Sequence, residues 1–432
     1  MFLEKNKDPK FNRRIACVIL AGGQGTRLFP LTSNRCKPAV RFGGHYRLID
    51  IPISNSLNSK ISNIFIISQY FSSGLIQHIK DTYQIDHFQG GTLTLLNPEQ
   101  RLDSHIWYSG TADAVRKNLN YLTEIPVDYF LILSGDQLYN MDLDAMVSFA
   151  REKDADLTIA ALTVSKPEAS RLGVLNIDDR GQIIDFYEKP KDPKILDHFQ
   201  LSDAFINAQY IRDIKSPCFL ASMGIYVFKK EVLIELLCQD LREDFGKHLI
   251  PYQLKKGTAS AFLHRGYWQD IGTISSFYQA NLALTDRSIG LDFYNGACPI
   301  HTQSHALPGA HLSKSQIIHS IICNGSIIEA KKILRSVVGI RSVVGSGTVI
   351  QDSILLGNAD YKHHKQSDAT SFHIGNNCTI RKAIIDENVT IGNHVQLVNQ
   401  KKLSQYDGNG IFIRDNVIIV ASNTKIPDCF VL

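Results

Sequence analysis

The alternation of apolar and polar positions divides this chain into two textures. Over residues 14–286, short apolar runs alternate with longer mixed segments, as in an α/β sheet whose buried strands are joined by crossovers. Residues 15–20 are almost all apolar and largely β-branched, which predicts a strand buried on both faces. Residues 64–68, 128–133, 156–164 and 221–228 predict further strands, and residues 74–83 a helix. Beyond about Gly290 aliphatics recur every six residues, at Ile321, Ile327 and Ile333, then at Val337, Val343, Val349 and Leu355. After a polar insertion at 358–371, carrying His363, His364 and Lys365, the period returns at Ile374, Ile380, Ile385, Ile391 and Leu397. A six-residue period is neither helical nor that of a hairpin. It predicts a parallel β-helix whose coils build a core only by stacking, with a β-sandwich as the alternative. The two textures place one domain at 1–286 and a second at 287–432.

Chemistry concentrates where the first strand ends. Gly22, Gly23 and Gly25 follow it directly, then Thr26 and Arg27, with Lys37 a short way on. Glycines let the backbone turn sharply and approach a ligand, so that successive N–H groups can face phosphate oxygens. With two cations in reach, the loop points to a polyphosphate site; a tight turn without a ligand is the plainer reading. It is not a P-loop, having no lysine in the required place, nor the dinucleotide fingerprint, because Leu28 stands where a third small residue belongs.

Composition narrows the partners. A net charge of +4 over 432 residues gives no ground for nucleic-acid or membrane binding but allows local basic pockets. Eight scattered cysteines without CxxC or zinc-like spacing suggest reduced thiols in a cytoplasmic protein. No apolar run reaches membrane-spanning length, and the start of the chain lacks the features of a signal or transit peptide.

Two aspartates sit where strands end. Asp136 follows Gly135, and Asp270 precedes Ile271-Gly272-Thr273. Carboxylates from separate strand ends suit Mg²⁺, which keeps waters and bridges phosphate oxygens, although Asp270 could equally cap a helix. Trp107-Tyr108-Ser109-Gly110-Thr111 brings small residues to the start of a helix, fit for contact with a base or sugar, or simply an N-terminal cap. Glu188-Lys189 before Pro190 predicts an extended segment; Lys189 could take a phosphate and Glu188 sugar hydroxyls, or both could be surface decoration. No Ser-His-Asp order, HExxH or activated cysteine is present, so covalent or zinc hydrolysis is disfavoured.

LAGGQGTRLFPLT followed by Lys37-Pro38 is similar to the signature of the sugar-nucleotide pyrophosphorylases. KPAVRFGGHYRLIDIPISN, WYSGTADAV, LSGDQLY, FYEKP and ASMGIYVF resemble the glucose-1-phosphate adenylyltransferases, from about Ala16 to the C-terminus. The resemblance implies a mostly parallel, Rossmann-like nucleotidyltransferase sheet domain followed by a left-handed β-helix domain for regulation and assembly, usually in a homotetramer. It implies the reaction of ATP with α-D-glucose 1-phosphate to ADP-glucose and pyrophosphate, feeding glycogen synthesis. Arg27 and Lys37 match the cations on the ATP phosphates, with Gly22, Gly23, Gly25, Thr26, Gln100, Gly110 and Thr111 on the nucleotide side. Asp136 and Asp270 match the Mg²⁺ carboxylates, while Tyr108, Gly173, Glu188, Lys189 and Ser222 match the glucose 1-phosphate pocket. Lysines that serve anionic allosteric effectors in the family are replaced here by Asn34, Glu387, Thr390, Asn393 and Ser422, though Arg35 and Arg47 remain. The expectation is a weak response to the usual activators. A UDP- or dTDP-glucose enzyme, a non-catalytic regulatory subunit and a β-helix acyltransferase are the competing readings.

Overall fold

A computed structural model describes residues 14–84, 91–98, 107–178, 180–202, 217–359 and 374–432. Gln100 and the insertion's His363, His364 and Lys365 lie outside the described residues.

The strand Ile15–Ala21 forms, as its unbroken apolar run requires, in the interior of a nine-stranded sheet. It pairs in parallel with Asn63–Ser68 on one side and Tyr129–Ser134 on the other, and Asn63–Ser68 pairs onward with Thr92–Leu96. The chain therefore leaves the first strand in one direction and later returns to its opposite edge. That reversal opens a crevice beyond the strands' carboxyl ends, where open α/β sheets take ligands. The sheet is mostly parallel. The long strand Cys218–Lys229 runs against its neighbours Tyr129–Ser134, Leu157–Ser165 and Gly173–Ile177. Its register breaks between Ser222 and Tyr226, around Gly224 at φ 70°.

The second domain coils. Strands Ile327–Ile328 and Val343–Val344 stack in register on one side, Lys332–Leu334 and Val349–Gln351 on the next, and Val337–Val338 and Ile354–Leu355 on the third. Ile327 meets Val343 and Ile333 meets Ile350, so a coil takes sixteen or seventeen residues and the spacing between sides is sometimes six and sometimes five. This corrects part of the periodic set. Ile333, Leu355, Ile374, Ile380, Ile385, Ile391 and Leu397 do fill the coil interior, but elsewhere Ile328, Val338, Val344 and Ile350 do so. Side chains alternate across a strand, so the neighbouring Ile327 points to solvent, 43% exposed. Where two aliphatics are adjacent, the sequence period does not say which one faces in.

Val337 points outward from the coil yet is fully buried, because it packs against the sheet domain with Ile354, Leu356, Ile384, Val417 and Ile419. Helix Ile274–Ala283 lies at this junction, with Tyr278 donating its hydroxyl to the Asp352 carbonyl. Burying each large aliphatic stabilises by about 1.5–3 kcal/mol, so the two domains share one apolar core. Asn358, expected in a solvated insertion, is buried at the same seam and accepts from Arg41 through its carbonyl. Among the described residues no helix is long and apolar enough to cross a membrane.

Candidate active site

The glycine loop and the end of Tyr129–Ser134 meet because Leu20 and Ser134 are register partners, and the Gly135 N–H donates to the Leu20 carbonyl. Gly25 adopts φ 64°, and a Cβ there would lie 3.1 Å from both the Lys37 Cβ and the Thr32 methyl. The loop is thereby folded onto the segment that carries Lys37. Lys37 is 8% exposed and its Nζ lies 2.5 Å from Asp136 Oδ2. The sequence placed these residues in one site, and the structure joins them as an ion pair.

Asp270 arrives from the other side. It ends the strand Trp268–Asp270, paired with Gln137 in the short strand Gln137–Tyr139 that follows Asp136. It is not a helix cap: Thr273 takes that place, accepting from the Ser276 N–H. The two carboxylates feel each other. Burial and the charge of Asp136 raise Asp270 above the ordinary carboxyl range, against Lys37, Arg27 and Lys189. For Asp136, burial is outweighed by the Lys37 ammonium and by hydrogen bonds from Lys37 and Ser134, which hold it low. No group of three or more His, Cys, Asp or Glu side chains capable of holding a metal occurs among the described residues. Two facing carboxylates fit a hard cation that completes its shell with water and phosphate oxygens, as Mg²⁺ does.

The cavity at this crevice has a volume of about 530 Å³ and is lined by Gly22, Gly23, Tyr108, Gly110, Thr111, Asp136, Glu188 and Lys189, among others. Eight predicted residues thus line one cavity. Tyr108 is fixed from behind, its N–H donating to Gln69 and its hydroxyl accepting from Asn118. Lys189 departs from expectation: although it precedes a proline it takes φ 52°, with its N–H closing on the Leu172 carbonyl. The left-handed turn bends the chain out of strand Ile183–Glu188, where an extended residue would have continued it. Strain of this kind collects at functional sites. The ammonium, 2.8 Å from Glu188 Oε1, is more than half exposed.

Arg27 and Thr26 line a second cavity, of about 920 Å³, shared with Phe29, Arg414 and Asp415. Tyr70 borders both cavities. Gly173 and Ser222 stand beside the lining rather than in it. A Cβ on Gly173 would meet Phe186 and Glu188 Oε2 at 2.5 and 2.7 Å, and the buried Ser222 hydroxyl accepts from the Gly224 N–H.

Sequence reasoning missed one wall. Asp244, Phe245 and Gly246 line the cavity of Glu188 and Lys189 from the start of a π-helical turn, Phe245–Leu249, a form frequent at functional sites. A Cβ on Gly246 would lie 2.7 Å from Glu188 Oε2. The available signal was an acid, an aromatic and a glycine in succession just after a helical stretch.

Residues 16–287 match the family described as Nucleotidyl transferase. The chain belongs to that family. Residues 305–431 match the GLGC left-handed parallel beta-helix domain. A nucleotidyl transferase domain joined to this β-helix is the hallmark architecture of glucose-1-phosphate adenylyltransferase and related sugar nucleotidyltransferases.

Proposed function

We propose that the protein is a glucose-1-phosphate adenylyltransferase, converting ATP and α-D-glucose 1-phosphate to ADP-glucose and pyrophosphate. The observation that carries this reading is the Lys37–Asp136 pair at the glycine loop, whose Asp136 lines one cavity together with Glu188 and Lys189. The GLGC-type β-helix supports the adenylyl branch.

A phosphate oxygen of glucose 1-phosphate attacks the α-phosphorus of ATP; that P–O bond forms as the bond to the β-phosphate bridge breaks, and pyrophosphate leaves with the electron pair. No covalent bond to the protein is needed. Catalysis then comes from positioning and from neutralising charge. Lys37 and Arg27 serve the ATP phosphates, Lys189 the sugar phosphate, and Glu188 the sugar hydroxyls. Asp136 and Asp270 would hold Mg²⁺, which when bound supplies charge neutralisation at the phosphate oxygens. Assembly as a homotetramer and a role in supplying the glucosyl donor for glycogen belong to the same reading.

The test is pyrophosphate release with Mg²⁺ and glucose 1-phosphate, comparing ATP, UTP and dTTP. Turnover with ATP at least tenfold above the others is expected. A preference for UTP or dTTP would move the assignment to another branch, and silence with all three would favour a regulatory subunit.

A further inference from the structure

Between the glycine loop and Lys37 the chain passes Arg35, and Arg35 is held by the other domain. Its Nη1 donates to Asp386 Oδ1 at 3.1 Å and to Glu387 Oε1 at 2.6 Å, its Nη2 to Asp386 Oδ2 at 3.3 Å, and its Nε to Asn34 Oδ1 at 3.3 Å. Four of the five guanidinium donors are therefore taken by the protein's own oxygens. The other Glu387 oxygen lies 3.3 Å from Nε of Arg41, which also donates to the Leu356 and Asn358 carbonyls. The acidic pair follows strand Ala383–Ile385 of the β-helix. The Arg35 side chain is 11% exposed, that of Asp386 0% and that of Glu387 10%. Burial opposes ionisation of Glu387, yet Arg41, Arg35 and Arg47 outweigh it and hold the carboxyl below its ordinary range.

We propose that Asp386 and Glu387 are positioning residues for catalysis: a built-in anion from the β-helix that fixes Arg35, and through it the segment carrying Lys37, so that no external anion is needed to order the loop. The geometry allows little slack. Only Cys36 separates Arg35 from Lys37, Cys36 is buried, and its carbonyl starts the turn Lys37–Ala39 by accepting from the Ala39 N–H. A shift of Arg35 is thus passed on to the ammonium paired with Asp136. Two positions where the family's effector lysines are absent close the same seam, the Asn34 amide donating to the Ser422 hydroxyl at 3.1 Å.

This inference rests on the reading of Lys37 as a phosphate-binding cation, and two measurements separate it from that reading. The first is steady-state pyrophosphate release by wild type, Glu387→Ala, Glu387→Asp and Asp386→Asn, with sodium acetate or with sodium chloride at matched ionic strength. Loosening a reacting group costs rate steeply, so kcat of Glu387→Ala should fall about ten- to hundredfold, with KM for glucose 1-phosphate changing far less. Acetate, entering the space left by the side chain, should restore several-fold activity to Glu387→Ala and leave wild type unchanged, while Glu387→Asp should retain most activity. The second is hydrogen exchange of the 34–40 segment, which needs no turnover: protection should drop in Glu387→Ala and return with acetate. Wild-type kinetics in Glu387→Ala, a loss indifferent to acetate, or unaltered exchange would each overturn the clamp. A wild type silent with every nucleotide would overturn the functional reading, and the exchange experiment would still decide the clamp.

Discussion

Two groups of cations in this chain live in opposite surroundings. At the mouth of the crevice, Arg27 is exposed and Lys189 more than half exposed, the latter with a single carboxylate beside it. At the domain seam, Arg35 and Arg41 are nearly or fully enclosed, and their donors are spent on Asp386, Glu387 and the Leu356 and Asn358 carbonyls. A buried charge persists only when it is paired and hydrogen-bonded, whereas a charge left at the rim of a cavity is available to a ligand. The same kind of charge thus does structural work in one place and stays open to an anionic ligand in the other. Lys37 belongs to both groups: it is buried and paired, but its partner Asp136 opens on the cavity.

The contrast can be broken most forcefully at the seam. Arg41→Met would leave Glu387 with one partner fewer and take a donor from the Leu356 and Asn358 carbonyls, and should destabilise by about 3–5 kcal/mol in denaturant unfolding; a change within experimental error would show that the seam is not what holds the domains. Next comes Lys37→Ala, which should lower kcat by about 10²–10³-fold while the unfolding midpoint moves far less than in Arg41→Met. A variant within tenfold of wild type would remove Lys37 from the reaction. Gly246→Ala tests the wall missed by sequence. The added Cβ would press on Glu188, so KM for glucose 1-phosphate should rise about tenfold with KM for ATP unaltered.

The smallest effect concerns pH. Burial, followed by Arg341, His45 and Arg41, pushes His305 down to about 4. The folded protein therefore keeps His305 neutral where an unfolded chain, titrating near the ordinary 6.5, takes up a proton. Its contribution to stability is complete above 6.5 and is lost as the pH falls towards 4. His305→Gln should flatten the dependence of the melting temperature on pH across that window, and a curve parallel to wild type would count against this placement of the charge.

How far the sequence could be read depended on the kind of signal. The loop of Gly22, Gly23 and Gly25 was legible because a buried strand followed by glycines and cations is local information. Asp270 was ambiguous in sequence because its partner strand comes from Gln137–Tyr139, far away along the chain, and only that pairing turns it towards Asp136. Lys189 was misread as extended: the restriction before proline is a preference, and the hydrogen bond to Leu172 overrides it. Asp244 and Gly246 gave little sign, since a short acidic turn looks like any other until Glu188 is seen packed against it.

The chain's own order of residues determined the two domains, the central strand, the glycine loop that follows it and the coiled architecture of the second half. All of these rest on hydrophobic periodicity and on the backbone freedom of glycine, which act over a few residues. Tertiary structure alone decided which aliphatic of each adjacent pair faces the coil interior, which carboxylates meet, and that Glu387 would reach back to Arg35 and Arg41. Those outcomes depend on burial. A charge or a methyl group takes its role from what encloses it, and the enclosing residues come from distant parts of the chain.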